Sequence, residues 1–439
     1  MTLIRIRKGL NLPVKGAPCA DIDVIDNITE SAILGDDYPC LKPTMLVKEG
    51  DSVSKGQPVF TDRKNPEITY TAPITGKVKE VKRGAKRKFL SMVFEKGEGE
   101  AVKFDTKVSN GEAVYELLKC SGLLSAFRER PFAKCPSADR KPQAVLINSM
   151  DTRPLAPDMS IILQGNEEYF VKGVQAISKL SEKTYVCAGI DIQLPDLTDA
   201  DIQIFDGPHP AGLSGTHVHF LTPVSLERTV WTIDMSAVID IGYLLTHGEL
   251  NETTRIALSG EFVKPCHIEI LKGAPIKKIV EGRLKDCETR LIIGSSLYGF
   301  TVEDGVEHLS SCFSQVTALS ELTDRYLLGW TTPRNDLFSV KNIFASKFTG
   351  QKKLHFDTSL NGALRPMVPV GTYEKVMPLD ILPTHLLRSL IVSDIETAEK
   401  LGCLELSEED LSLCTYVCPG KIDYAPILRD ALVSIEKEG

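Results

Sequence analysis

The chain has 439 residues, of which 42% are hydrophobic and 25% charged, a length beyond one ordinary core and suited to about three or four domains. Its formal net charge of −8 argues against a general nucleic-acid binder, so no nucleic acid is expected among its partners. No run approaches the ~18 apolar residues of a membrane helix, and the N-terminus MTLIRIRKGLNLPVKG lacks the apolar centre of a signal peptide. The 11 cysteines, odd in number and irregular in spacing, fit reduced thiols rather than a disulfide framework. The expectation is a cytoplasmic chain that reaches a membrane only through a partner.

The first clear module is residues 47–81, VKEGDSVSKGQPVFTDRKNPEITYTAPITGKVKEV. Gly-Asp and Lys-Gly turns separate short strands, and Val53, Val59, Phe60, Ile74 and Val78 suffice for a small all-β core. The spacing VKxGDxVxKGQxV followed by APxxGxV resembles the half-motifs of biotinyl and lipoyl carrier domains. Lys64, the nearest candidate for a carrier lysine, sits in DRKNPE beside Asn65 and Pro66, which is not a carrier context; a solvated Lys64 is expected. Next comes KVKEVKRGAKRK at 77–88, with seven basic residues and one acidic one. It reads either as a solvated hairpin around Gly84 or as a docking rim for headgroups or an acidic partner, carried by Lys82, Arg83, Lys86 and Arg87.

A short helix is expected over 109–118, then a Pro- and charge-rich connector over 128–140. An apolar run at 144–147 leads through a turn-rich loop to a helix in which Phe170, Val171, Val174, Ile177 and Leu180 recur at helical spacing, with Asn166 as its cap. Further apolar runs at 185–188 and 202–205 complete an alternation typical of a parallel α/β sheet, whose ligands lie at strand ends. The loops 148–158 and 206–219 are therefore the candidate sites. No GxGxxG or GxxxxGK[ST] occurs, so dinucleotide and triphosphate binding lack their usual motifs.

Within those loops, Asp151, Arg153 and Asp158 form a polar group without a nucleophile elbow or catalytic carboxylate pair. His209, His217 and His219 gather in sequence, and His217 and His219 would share a face if both occupied a strand. Three readings apply to them: loop structuring, ligand or inter-subunit contact, or a metal site, for which a matched third ligand is missing.

A second small α/β unit is expected near 226–300, with a helix at 235–245, strands at 253–260 and 266–271, a short helix, and a strand at 290–293. Residues 301–375 have no assignable fold, and the aromatics at 326–330 and 338–348 are expected only to pack. The end is helical, with segments at 380–392 and 394–401, a stop at Gly402, and a capping box of Ser407 and Asp410. Among the cysteines, Cys403, Cys414 and Cys418-Pro419 are the best candidates, since the final CxxxCP resembles the end of an iron–sulfur motif, but the four placed ligands that a cluster needs are not supplied.

The stretches IRIRKGLNLPVKGAP, LLSAFRERPFAKCP, INSMDTRPLAPD, HPAGLSGTHVHFLTPV and CTYVCPGKIDYAPILR together resemble the A-subunit family of the sodium-translocating NADH:quinone reductases, across essentially the whole chain. The resemblance extends to the C-type component of the Rnf electron-transfer complex and to the flavin-binding component of respiratory NADH dehydrogenase. It implies a multidomain α/β architecture: a barrel-like β module in 1–108, a central α/β domain in 109–225, a β-grasp-like domain in 226–300, a mixed region in 301–375 and a degenerate iron–sulfur-like helical domain in 376–439. It also implies a peripheral protein on the cytoplasmic face of the bacterial inner membrane. There it would be attached to the membrane-embedded B component and the other subunits of a complex that moves electrons from NADH to ubiquinone and exports sodium. NAD, flavins and iron–sulfur centres would be used by the complex, with none bound stoichiometrically by this chain and ubiquinone a candidate contact. The isolated chain is expected to be non-catalytic. The competing class is an independent flavin- or nucleotide-binding oxidoreductase on the same scaffold.

Overall fold

The computed structural model describes residues 2–137, 140–321, 335–341, 346 and 353–438; the aromatic stretch at 326–330 and most of 338–348 lie outside them. The N-terminal β module is built from two small sheets. One has the order Glu30–Leu34, Phe89–Lys96, Gly76–Arg83, Ser52–Val53; the other has the order Pro43–Met45, Pro58–Asp62, Thr69–Thr71. Val53, Val59, Phe60, Ile74 and Val78 are all buried, and Phe60 stacks on Tyr70 with ring centroids 4.7 Å apart. The module is larger than 47–81, because the long Phe89–Lys96 strand is needed to close it. Lys64 is exposed.

The six-stranded sheet that follows has the order Thr2–Arg5, Asp201–Asp206, Lys183–Gly189, Ala144–Ser149, Val230–Asp234, Arg128–Arg130. All neighbours are parallel except the last pair. Every residue of Ala144–Ser149 is buried, as expected for a central strand covered on both faces. Two expectations change here. Residues of the expected connector at 128–140 form an edge strand, Arg128–Arg130, against Val230–Asp234. The expected break at 225/226 falls inside this sheet, because Val230–Asp234 pairs with Ala144–Ser149 and the following helix Met235–His247 packs on helix Glu167–Ile177. These two helices approach closely: a Cβ at Gly173 would strike the Val238 carbonyl, and one at Gly242 the Tyr169 carbonyl. Asn166 occupies the cap position of Glu167–Ile177 but does not cap with its side chain, which instead donates to the Ile162 carbonyl at 3.1 Å.

The second six-stranded sheet has the order Gly299–Thr301, Thr289–Gly294, Gln315–Ser320, Thr253–Gly260, Cys266–Leu271, Cys19–Ile25. Its centre is a parallel pair, Thr253–Gly260 beside Gln315–Ser320, flanked by antiparallel partners. It thus draws on both the N-terminal segment and the region past 300, beyond the expected 226–300. The C-terminal helices, among them Pro383–Ile391, Ile395–Lys400, Ser412–Val417 and Ala425–Glu438, enclose their own core of Leu386, Leu390, Leu406, Leu411, Leu428 and Leu432. Gly402 ends one of them in the left-handed conformation at φ 93°. The Ser407–Asp410 capping box forms on the tight turn Glu408–Leu411.

Candidate functional site

The strands of the parallel sheet end at Ser149, Gly189, Asp206 and Asp234, and the segments that follow Ser149, Asp206 and Asp234 form one wall of a cavity of about 400 Å³. The other walls come from the β module through Asp37 and Tyr38, from residues 310–314 beside the second sheet, and from the turn at 407–410.

The two candidate loops meet there. Asn148 Nδ2 donates to the Gly212 carbonyl at 3.1 Å, and Gly212 N–H donates to Thr152 Oγ1 at 2.9 Å. The second contact needs glycine, since a Cβ on Gly212 would crowd the Thr152 amide. Thr152 Oγ1 also lies 3.2 Å from His209 Nδ1, so His209 stands beside Asp151 and Arg153 through Thr152. Asp151 receives the Arg153 backbone N–H and Nη1, each at 2.8 Å. Arg153 turns its other nitrogens to Glu409, with Nη2 to Oε2 at 2.7 Å. Burial raises the Asp151 carboxyl, and Arg153 partly offsets this. Burial works against the Arg153 charge, yet Asp151 and Glu409 hold that guanidinium firmly protonated.

Turn 408–410 meets an arginine at each acidic position. Glu408 pairs with Arg429 and Glu409 with Arg153, while Asp410 lies 3.6 Å from Arg130. Farther along the wall, half-buried Arg128 donates to the Asp37 carbonyl at 2.8 Å and to Cys312 Sγ at 2.9 Å. Asp37 in turn accepts from Ser311 N–H at 2.8 Å and from its hydroxyl at 2.9 Å. Burial pushes the Cys312 thiol up to about 11 despite the arginine.

The histidines do not converge. His217 and His219 lie on helix Ser214–Leu221, not on a strand, so their i,i+2 spacing sends them apart. His217 is buried with its ring 4.3 Å from Phe205 and Nε2 2.9 Å from the Ala211 carbonyl. His219 instead joins the C-terminal helices: Nδ1 meets Glu405 and Nε2 accepts the Asp380 N–H at 3.0 Å. Burial drives both His209 and His217 down to about 4. Among the described residues no group of three His, Cys, Asp or Glu side chains is arranged to hold a metal ion.

Cys403, Cys414 and Cys418 are buried in the helical core. Burial pushes Cys403 and Cys414 up to about 12. Burial opposes the Cys418 thiolate too, but hydrogen bonds from Tyr373, the 422 backbone and Tyr424 hold that thiol below its ordinary value. On the basic hairpin, partly buried Lys82 pairs at the surface with Asp304 at 3.2 Å and Glu307 at 2.6 Å, whereas Arg83, Lys86 and Arg87 are exposed.

Of the charged and polar residues that line this cavity, the sequence pattern singles out Asp151 and Arg153 but not Arg128, Arg130, Asp37, Asp234, Glu409 or Cys312. Asp234 ends a strand of the parallel sheet and could have been found as a strand-end residue. Asp410 was noticed only as a cap.

Residues 4–97 match the family model described as NqrA N-terminal barrel-sandwich hybrid domain, and residues 109–250 match NqrA second alpha/beta domain. Proteins named as the A-subunit of Na(+)-translocating NADH-quinone reductase match over 100% of both chains: 44% identity in Neisseria meningitidis serogroup B, 45% in Hahella chejuensis and 44% in Pasteurella multocida. The chain belongs to this NqrA family. It is one of the subunits of the Na+-translocating NADH-quinone reductase, and none of its described helices is long and apolar enough to cross a membrane. A solved NAD+-reducing [NiFe]-hydrogenase chain is similar at 11% identity with a TM-score of 0.36, over 48% of this chain and 47% of that one. The match to 109–250 carries Val230–Asp234 and Met235–His247 with the first sheet, in agreement with the strand pairing.

Proposed function

We propose that this chain is a peripheral protein on the cytoplasmic face of the membrane, docked on the membrane-embedded B component, that stabilises the assembled reductase and contributes to its quinone interaction without holding a flavin or iron–sulfur cluster of its own. The observation that carries this reading is the end-to-end match to NqrA-family proteins in a chain whose described helices are all too short or too polar to span a bilayer. Two further features support it. The strand ends where α/β proteins bind cofactors face Asp151, Arg153 and Glu409, which pair with one another. The cavity beside them is of ligand size and is lined in part by Tyr38, Tyr298 and Phe300, aromatic side chains of a kind that suits a planar headgroup.

The experiment is turnover of the purified membrane complex with NADH and quinone, before and after removal and re-addition of this chain. Loss and recovery of quinone reductase activity, with NADH oxidation by an artificial acceptor retained, is the expected result. Full quinone turnover without the chain refutes the proposal. A stoichiometric flavin on the isolated chain favours an independent oxidoreductase instead.

A further inference from the structure

Helix Ser214–Leu221 begins at the cavity, and its first turn faces a carboxylate from a distant part of the same chain. A helix start carries N–H groups without intrahelical partners and the positive end of the helix dipole, which is why phosphates bind at such positions. Asp410 lies against Gly215 so closely that a Cβ there would collide with both of its carboxylate oxygens. The absence of a side chain at 215 is what lets an anion approach this helix.

Arg130 supplies an independent observation. It is only 4% exposed and lines the same cavity as Ser214, Gly215 and Asp410. Nη2 donates to Ser407 Oγ at 3.1 Å and stands 3.6 Å from the Asp410 carboxylate. Nε and Nη1 are buried with no protein partner. A buried guanidinium with two unsatisfied nitrogens is costly, and a carboxylate at that distance compensates it incompletely. Asp410 is itself tied elsewhere, since Oδ2 accepts from Ser407 N–H at 2.7 Å and Ser407 Oγ at 2.8 Å. A tetrahedral oxyanion, with acceptors in several directions, suits the guanidinium fork and the helix start together better than one shared carboxylate does. The neighbouring acids do not compete, because Glu408 and Glu409 are neutralised by Arg429 and Arg153.

We propose that Arg130 and the start of helix Ser214–Leu221 form a binding site for a phosphate-type oxyanion, and that the Asp410 carboxylate is its built-in competitor. Entry of the oxyanion displaces Asp410 from Gly215 and frees the turn at 407–410, so the site couples a small anion to the seating of the C-terminal helices. This goes beyond the assembly role and does not depend on it.

The test is calorimetric titration of the full-length chain with pyrophosphate and with inorganic phosphate, each against chloride at matched ionic strength. Asp410→Asn keeps the shape of the turn and removes the competing charge, so it binds pyrophosphate roughly 10-fold tighter than the unaltered chain. Adding Arg130→Gln to that variant abolishes the gain. Asp410→Ser serves as a second competitor-free variant, and circular dichroism establishes that each variant is folded before titration. The proposal is overturned when folded competitor-free chains respond alike to pyrophosphate and chloride, or when the affinity survives Arg130→Gln, which places the anion elsewhere.

Discussion

The bidentate pair of Arg153 and Glu409 fastens the C-terminal helices to the loop after strand Ala144–Ser149, and Glu409→Gln tests it with little change of shape. The two side chains are 17% and 16% exposed, so the pair is largely shielded from water. Removing one partner of a buried pair costs ~3–5 kcal/mol, but the glutamine retains one acceptor and Asp151 remains as a counterion, which lowers the expectation to ~2–3 kcal/mol. Expressed locally, hydrogen-exchange protection of residues 403–418 falls roughly 30- to 150-fold, at ~1.4 kcal/mol per tenfold. Exchange followed by mass spectrometry in the unaltered chain, Glu409→Gln, Arg153→Met and the double variant gives the coupling. The double variant loses less than the sum of the singles by ~1–2 kcal/mol, because the two residues act on each other. A change below about threefold in Glu409→Gln, or strict additivity, refutes the claim that this pair seats the helices.

The isolated chain, purified without oxygen, shows neither a flavin spectrum nor iron; about one flavin or cluster per chain would contradict the incomplete ligand set. Reversing Arg83, Lys86 and Arg87 to Glu slows association with the membrane subunits at low salt and has less effect at high salt, and an unchanged rate at low salt removes these residues from the docking rim. Lys82 is left out of that set because Asp304 and Glu307 already hold it, so Lys82→Glu destabilises the fold instead. His217 makes stability depend on acid: its folded value of about 4 lies below the ordinary 6.5, so its contribution is complete above pH 6.5 and is lost as pH falls through about 4. Relative to His217→Gln, the unfolding free energy of the unaltered chain from urea titrations therefore declines on acidification by ~1.4 kcal/mol per pH unit within that window, and a pH-independent difference would show that the ring is not buried neutral.

Local chemistry was enough to mark many of the elements. Strands Thr253–Gly260 and Cys266–Leu271, helix Glu167–Ile177 and the buried residues of the β module were legible because apolar period and turn glycines act over a few residues. The stretches resembling the NqrA family were equally plain, being read from residue identity alone. What the sequence could not decide were pairings between distant segments. Val230–Asp234 reads as well with the residues after it as before it, and only its register with Ala144–Ser149 puts it in the first sheet. SGTHVHFL has no strong period, so its helix depends on burying Thr216, His217 and Val218 beside the sheet, and that choice scattered the histidines that looked like a cluster. The charged wall of the cavity is the clearest case. Arg130, Arg153, Glu409 and Asp410 show no relation in sequence. A buried charge must find its partner wherever the fold provides one, and here the packing of the C-terminal helices against the strand ends brings arginines and carboxylates into the same low-dielectric space.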